Sequence, residues 1–216
     1  MKRYFLFDLD GTLCDTGPGI MKSAQYALDA FGLPKQTEES LRRMIGPPLD
    51  VSLSDFFGLH GEDNRRAVEK FREYYREKGV FESLLYPGMK ELLGRVSKTA
   101  VLAVATSKPE YFARKILELR EVLSCFTVLV GSPLGDTGTP KPQIISSVLQ
   151  KLGGPPKEEV VMIGDRSYDV LGANACGIDC IGVEYGFAAP GELAEAGARY
   201  IVPTVEELGK LLEVLS

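Results

Sequence analysis

A short apolar run that ends in acidic residues constrains the fold of this chain more than any other feature. Residues Tyr4 to Phe7 read YFLF, and Asp8, Asp10 and Gly11 follow almost at once. An apolar, aromatic-rich run of this length is typical of a strand that is buried on both faces of a parallel sheet. Side chains two residues apart on an extended chain point the same way, so Asp8 and Asp10 can share one small volume.

The closeness of Asp8 and Asp10 also points to a functional site. Two like charges held together repel each other unless a proton or a metal ion lies beside them. The alternative is a strand that runs into a polar turn, because Asp and Gly are common turn residues. A turn explains Asp10 and Gly11, but it does not explain Asp8, since an acid at the end of an apolar strand loses its hydration.

Composition excludes several classes of partner. The chain has 216 residues, 44% of them hydrophobic, and a net charge of -5. No basic tract could neutralise a row of phosphates, so we expect no nucleic-acid polymer as a partner. No apolar segment approaches the roughly 20 residues that span a bilayer, and the first strand begins too early to leave room for a signal peptide. We therefore expect a cytoplasmic protein without a membrane partner, as a monomer or a weak homodimer.

The four cysteines do not predict a metal or redox site. Cys14, Cys125, Cys176 and Cys180 lack CxxC spacing, and His60 is the only histidine. A structural zinc site is therefore not predicted, and disulfides are not expected in a reducing compartment. Cys14 lies near the acidic pair but has no neighbouring histidine to act as its base, so we interpret it as a packing residue.

The order of predicted elements is typical of an α/β protein with a helical insertion. Apolar spacing predicts helices over about 16–31, 38–44, 49–57 and 62–78, without a clear strand among them. Strands over 100–105, 126–130, 160–163, 180–183 and 200–202 then alternate with helices over 87–96, 109–119, 142–152, 169–176, 192–196 and 205–215. This alternation predicts a doubly wound parallel sheet. We expect a core domain over 1–14 and 85–216, with a helical domain over 15–84 inserted after the first strand.

Polar residues collect where the predicted strands end, which is where ligands bind in such sheets. They are Asp8 and Asp10, then Thr106, Ser107 and Lys108, then Lys141 in the loop before a helix, then Asp165 with Asp169 one turn further on. Three acids with further oxygen donors indicate a hard cation, most simply Mg²⁺. Each residue also has a plainer interpretation. Asp169 alone fits a helix N-terminus, Lys141 alone a solvated surface, and Thr106 alone a strand end.

A cation, a lysine and a hydroxyl around a carboxylate form a site for an anion with several oxygens, and phosphate fits. Asp8 could then attack phosphorus and form an aspartyl-phosphate. Asp10 would protonate the leaving oxygen and later deprotonate the water that hydrolyses the intermediate. Lys141, Thr106 and the metal would stabilise charge on the transferring group.

These residues resemble, over essentially the whole chain, the motifs of the haloacid dehalogenase superfamily of phosphohydrolases. DLDGT from Asp8 looks like its first motif, VATSK around Thr106 its second, Lys141 with Pro142 its third, and GDRSYD from Gly164 its fourth. The resemblance implies a Rossmann-like core, with Asp8 as nucleophile and Asp10 as acid and base. It also implies that Thr106 and Lys141 bind the phosphoryl group. The magnesium site would comprise Asp8, the backbone carbonyl of Asp10, Asp165 and Asp169.

The inserted helical region is similar to the cap of the phosphoglycolate phosphatase-like branch. Such caps exclude water and carry much of the substrate selectivity. The segment Gly46-Pro47-Pro48-Leu49 resembles the cap loop that faces the active site. Arg42 and Arg43, just before it, are candidates to reach a substrate carboxylate or a second phosphate, and the alternative for both is a solvated helix face.

The chain departs from the family pattern at two positions, and its motifs leave several functions open. Ser107 replaces a frequent asparagine and affects a substrate contact, and Gln143-Ile144 replaces the end of a KPxP loop. The presence of Asp10 disfavours dehalogenation, and the lack of a conspicuous cap lysine disfavours phosphonate cleavage. The leading hypothesis is a Mg²⁺-dependent phosphatase for a small phosphorylated metabolite, with phosphoglycolate as the default and nucleoside 5'-monophosphates or pyrophosphate as rivals. A sugar-phosphate mutase and a catalytically silent binding protein are the alternatives.

Overall fold

The computed structural model describes residues 1–134 and 139–216, which divide into two compact units. One unit comprises Met1–Asp15 and Leu85–Ser216, and the other comprises Thr16–Leu84. The first contains the sheet, whereas the second is helical. No helix in the described ranges is both long enough and apolar enough to cross a membrane.

The first unit is built on a six-stranded parallel sheet, which confirms the predicted fold class. The strands of the chain are β1 (Tyr4–Phe7), β2 (Cys14–Asp15), β3 (Leu84–Leu85), β4 (Val101–Pro109), β5 (Val128–Ser132), β6 (Val160–Gly164), β7 (Asp179–Val183) and β8 (Tyr200–Val202). The order in the large sheet is β5-β4-β1-β6-β7-β8, with every neighbouring pair parallel. Because β1 lies centrally, its apolar residues are covered on both faces: Phe5, Leu6 and Phe7 are fully buried.

Helices complete both units. They are α1 (Gly17–Asp29), α2 (Glu38–Arg42), α3 (Leu49–Phe57), α4 (Gly61–Glu77), α5 (Met89–Val96), α6 (Glu110–Leu119), α7 (Lys141–Lys151), α8 (Ser167–Cys176), α9 (Glu192–Glu195) and α10 (Val205–Leu215). One apolar cluster joins Leu6 of β1 and Met162 of β6 to Ile145 of α7 and Val170 of α8. This packing places the first turns of α7 and α8 beside the sheet end where β1 and β6 finish.

The helical unit contains α1 to α4. Helices α1 and α4 pack against each other, and both bury apolar residues, among them Ala24 and Leu28 of α1 and Phe71 of α4. The 3.6-residue period of these apolar positions explains why the sequence forms amphipathic helices here. Arg42 is the last residue of α2, and Gly46 and Pro47 lie between α2 and α3. That residues 15–84 act as a cap stays a prediction.

The sheet has its topological switch point at β1, since the chain leaves β1 for β4 on one side and reaches β6 on the other. Two local predictions are corrected at this edge. Strand β4 continues through Thr106, Ser107 and Lys108 to Pro109, with an irregular register after Ala105, because Pro109 still pairs with Ser132 of β5. Lys141 begins α7 and does not lie in the loop before it, since Pro142 is well tolerated in the first helical turn.

Candidate active site

Three carboxylates meet at the switch point. Asp8 follows β1 directly, Asp165 follows β6, and Asp169 lies in the first turn of α8. One oxygen from each carboxylate lies within 4.8 Å of the others. All three are buried, with exposed fractions of 8% for Asp8, 0% for Asp165 and 1% for Asp169. The peptide N–H of Asp8 donates to Ile163 at 2.9 Å, so the β1–β6 hydrogen bonding continues up to the site.

Lys141 supplies the positive charge beside these acids. Its Nζ lies 2.9 Å from Asp8 Oδ1 and 2.7 Å from Asp169 Oδ1, and it donates to the carbonyl of Ala105 at 3.1 Å. The lysine stem reaches inward over α8 because residue 172 is glycine; a Cβ there would lie 2.7 Å from Lys141 Cγ. Burial alone would lower the pKa of Lys141, but Asp169 and Asp8 outweigh it and raise the pKa, so the lysine stays charged.

The charge balance of this cluster fits a divalent cation. Burial, opposed by Lys141 and assisted by Asp169 and Asp10, raises the pKa of Asp8 to about 6. Burial and the charges of Asp169 and Asp8 raise the pKa of Asp165 well above its ordinary value. When all three carboxylates are ionised, the cluster with its one ammonium carries two net negative charges, which a divalent cation would neutralise. One oxygen of each acid lies close enough to the others to share a cation. Such oxygens are the ligands that Mg²⁺ prefers.

The loop after β1 and the loop after β7 fix Asp165. Thr12 Oγ1 donates to Asp165 Oδ1 at 3.2 Å, and the peptide N–H of Phe187 donates to Oδ2 at 2.8 Å. Gly11, with φ of 80°, permits this approach, because a Cβ there would lie 2.1 Å from Asp165 Oδ2. In the sequence, Thr12 stands out only as part of the motif that begins at Asp8. Nothing in the sequence marks Phe187 as a partner of Asp165.

Asp10 forms an ion pair that sequence reasoning missed. Lys108 Nζ donates to Asp10 Oδ1 at 2.8 Å and to Oδ2 at 3.1 Å. The Lys108 side chain is 6% exposed and that of Asp10 is 19% exposed, so the pair sits at the rim of the buried cluster. The position of Lys108 at the end of β4 was the available signal, but nothing local indicated its partner 98 residues away.

The remaining predicted site residues differ in their surroundings. Thr106 is 1% exposed, and its Oγ1 accepts from the peptide N–H of Lys108 at 3.2 Å, so the hydroxyl hydrogen can point elsewhere. Ser107 is exposed. Burial raises the pKa of Cys14 to about 12, so that thiol is not ionised at neutral pH. Arg42, Gly46 and Pro47 belong to the helical unit, and their contact with a substrate stays a prediction.

The close packing around Asp165 leads to a stability prediction. A Cβ at Gly186 would lie 2.4 Å from Asp165 Cβ and 2.4 Å from the carbonyl oxygen of Gly11, and none of these atoms can rotate away. Gly186→Ala is therefore expected to lower the free energy of unfolding by about 1–3 kcal/mol.

Gly94→Ala is the matched control. It makes the same chemical change within α5, where a Cβ meets nothing within 4 Å. It should raise the free energy of unfolding by about 0.5–1 kcal/mol. Urea denaturation of both variants tests the opposite signs, and equal effects would contradict the packing argument.

A family model and several known proteins match most of this chain. A family model described as haloacid dehalogenase-like hydrolase matches residues 5–183. A 5'-nucleotidase from Pseudomonas aeruginosa is 39% identical over 96% of this chain and 94% of its own length. The tyrosine-protein kinase PtkA from Mycobacterium tuberculosis is 34% identical over 97% and 72%, and a phosphoglycolate phosphatase from Vibrio parahaemolyticus is 30% identical over 99% and 96%. The solved structure of a "predicted phosphatase" from Clostridium acetobutylicum has a TM-score of 0.92 at 39% identity, covering 99% of each chain.

Proposed function

Since this chain belongs to the haloacid dehalogenase-like hydrolases and is a phosphatase of that family, we propose that it hydrolyses a small phosphomonoester with Mg²⁺ through an aspartyl-phosphate. One observation carries the proposal. Asp8 follows the central strand at the switch point, within 4.8 Å of Asp165 and Asp169 and in contact with Lys141. A nucleophilic carboxylate, a fixed cation and a divalent-metal ligand set are the groups that phosphoryl transfer through an enzyme carboxylate needs.

In the first step, an Asp8 carboxylate oxygen forms a bond to phosphorus as the bond from phosphorus to the leaving oxygen breaks. Asp10 gives its proton to that leaving oxygen, so the alcohol departs neutral. Lys141 donates a charged hydrogen bond beside Asp8, where it can offset negative charge on the transferring group. The hydroxyl of Thr106, within β4, donates to a phosphoryl oxygen.

In the second step, Asp10 takes a proton from water as the water oxygen attacks phosphorus. The bond from phosphorus to Asp8 breaks, which restores the carboxylate and releases inorganic phosphate. Lys108 donates to both oxygens of Asp10 and therefore orients the ionised carboxylate that accepts the proton of water in this step.

The residues that would hold Mg²⁺ are Asp8, Asp165, Asp169 and the backbone carbonyl of Asp10. When bound, the ion supplies positive charge against the phosphoryl oxygens. The hydrogen bonds from Thr12 and Phe187 orient the Asp165 carboxylate, and Arg166 N orients that of Asp169 at 3.1 Å. These hydrogen bonds support the proposal, because they hold the carboxylates of Asp165 and Asp169 in place as outer partners of metal ligands do.

The proposed substrate class rests on the named activities of relatives, and not on a contact between a substrate and this chain. Phosphoglycolate is the default because phosphoglycolate phosphatases match almost the full chain. Nucleoside 5'-monophosphates are the close rival, since the 5'-nucleotidase is more similar. Arg42, Gly46, Pro47 and Ser107 are the proposed substrate contacts. We further propose a cytoplasmic protein, as a monomer or weak homodimer.

Phosphate release from a panel of phosphate esters tests this proposal. The panel comprises phosphoglycolate, nucleoside 5'-monophosphates, sugar phosphates, phosphotyrosine and pyrophosphate, each with Mg²⁺ and with excess chelator. We expect rapid release from one small ester, reduced to background by the chelator and restored by added Mg²⁺. Release that is unaffected by the chelator would overturn the metal requirement. An isomerised sugar phosphate with little free phosphate would instead indicate a mutase, and no reaction at all would indicate a binding protein.

A further inference from the structure

The carboxylate of Glu192 is bound by four donors, although nothing in the reaction uses it. Oε1 accepts from Arg166 Nε at 2.9 Å, from the peptide N–H of Ser167 at 2.8 Å and from Ser167 Oγ at 2.9 Å. Oε2 accepts from the peptide N–H of Ala189 at 2.9 Å. The side chain is 15% exposed and starts α9, a helix of four residues. Because hydrogen bonds to an ionised acceptor are stronger than neutral ones, these four bonds hold the carboxylate firmly.

The four donors belong to two segments: the turn between Asp165 and Asp169, and the loop that contains Phe187 and Ala189. Arg166 and Ser167 are the residues directly after Asp165, and the peptide N–H of Arg166 donates to Asp169 Oδ2 at 3.1 Å. Ala189 lies two residues after Phe187, whose peptide N–H donates to Asp165 Oδ2 at 2.8 Å. Glu192 therefore links the turn that carries both acids to the loop that orients one of them.

The ionised form of Glu192 is the form that the fold holds. Burial alone would raise its pKa, but the peptide groups of Ser167 and Ala189, with the Arg166 side chain, lower the pKa to about 2. Without this acceptor, the peptide N–H groups of Ser167 and Ala189 would need new partners, and the turn from Asp165 to Asp169 would lose its outer support.

We propose that Glu192 is a positioning residue for the metal site: its carboxylate fixes the turn between Asp165 and Asp169 and thereby raises the affinity for Mg²⁺. The inference rests on the proposed Mg²⁺ site. Glu192 bonds to Arg166, Ser167 and Ala189, none of which is a proposed ligand of the ion. It acts through the backbone, as outer partners of metal ligands commonly do, and loss of such partners weakens metal binding by about 10–100-fold.

A calorimetric Mg²⁺ titration of Glu192→Gln tests this inference. The variant keeps the size of the side chain but loses the charge, and we expect its Mg²⁺ affinity to fall by about 10-fold. Glu195→Gln removes the same charge from an exposed position of α9 and should bind Mg²⁺ as the wild type does. Glu192→Asp keeps the charge but withdraws the carboxylate by one methylene. It should also bind Mg²⁺ more weakly, and it provides the test if Glu192→Gln does not fold.

The outcomes separate this inference from the proposed function. Wild-type affinity in a folded Glu192→Gln or Glu192→Asp would show a purely structural cap and overturn the inference, even if the variant melts at a lower temperature. Wild-type protein that binds Mg²⁺ but releases no phosphate would overturn only the phosphatase proposal, and the variant titrations would still decide the role of Glu192. Wild-type protein that binds no Mg²⁺ would overturn both. In the active enzyme, the Mg²⁺ concentration for half-maximal rate should rise in parallel, with kcat at saturating Mg²⁺ nearly unchanged.

Discussion

Replacement of Asp8 by asparagine is expected to abolish phosphate release while leaving the protein folded. Asparagine has the shape of aspartate but lacks the charged oxygen that forms the bond to phosphorus, so neither step of the proposed reaction can proceed through it. Loss of a covalent nucleophile commonly lowers kcat on the order of 10⁴-fold or more. Phosphate release from the best ester of the panel, followed over hours at high enzyme concentration, gives the dynamic range to detect such a loss.

The same variant separates chemistry from folding. Metal-free wild type has three buried carboxylates beside Lys141, so removal of one negative charge should leave the melting temperature equal or higher. Asp55→Asn makes the same change at an exposed position of α3 and should keep both activity and stability. An Asp8→Asn variant with the wild-type rate would show that Asp8 is not the nucleophile.

The site acids could be predicted because each follows a local pattern. Asp8 and Asp165 end apolar strands, and in a parallel sheet all such ends lie at one edge. The alternation of strands and helices was equally visible, since burial on both faces gives β1 and β6 continuous apolar sequences. Asp169 accepts a hydrogen bond from the peptide N–H of Arg166 at the start of α8, as its plainer interpretation predicted, and it also contacts Lys141. Its role as a metal ligand stays a prediction.

The partners of those acids could not be predicted, because they come from distant segments. Thr12 and Asp165 are 153 residues apart, and Lys108 and Asp10 are 98 apart. Phe187 donates through its peptide N–H, a group that every residue except proline has. The residue type at position 187 therefore does not predict this hydrogen bond. Strand β4 extends further than predicted because the polar residues Thr106, Ser107 and Lys108 look like a loop, whereas the strand passes through them with an irregular register and pairs with β5 again at Pro109.

Lys141→Met is expected to lower both stability and activity. Methionine keeps most of the stem that packs against Gly172, but it removes the ammonium that faces Asp8 and Asp169. Breaking a buried ion pair from one side leaves an uncompensated charge and costs about 3–5 kcal/mol in the free energy of unfolding. Loss of one fixed electrostatic donor at the reacting group should also lower kcat by about 10²–10³-fold. Urea denaturation of metal-free protein and phosphate release measure the two effects.

A second change in the same cluster tests whether the stability loss comes from charge. Asp169→Asn in the Lys141→Met background removes the carboxylate that lies 2.7 Å from the lysine, so the double variant should unfold at a higher urea concentration than Lys141→Met alone. Activity should not return, because both the ammonium and a proposed metal ligand are gone. Lys151→Met, at an exposed position near the end of α7, is the matched control and should change stability by less than about 0.5 kcal/mol. A double variant less stable than Lys141→Met would show that packing, and not charge balance, is what Lys141 provides to the fold.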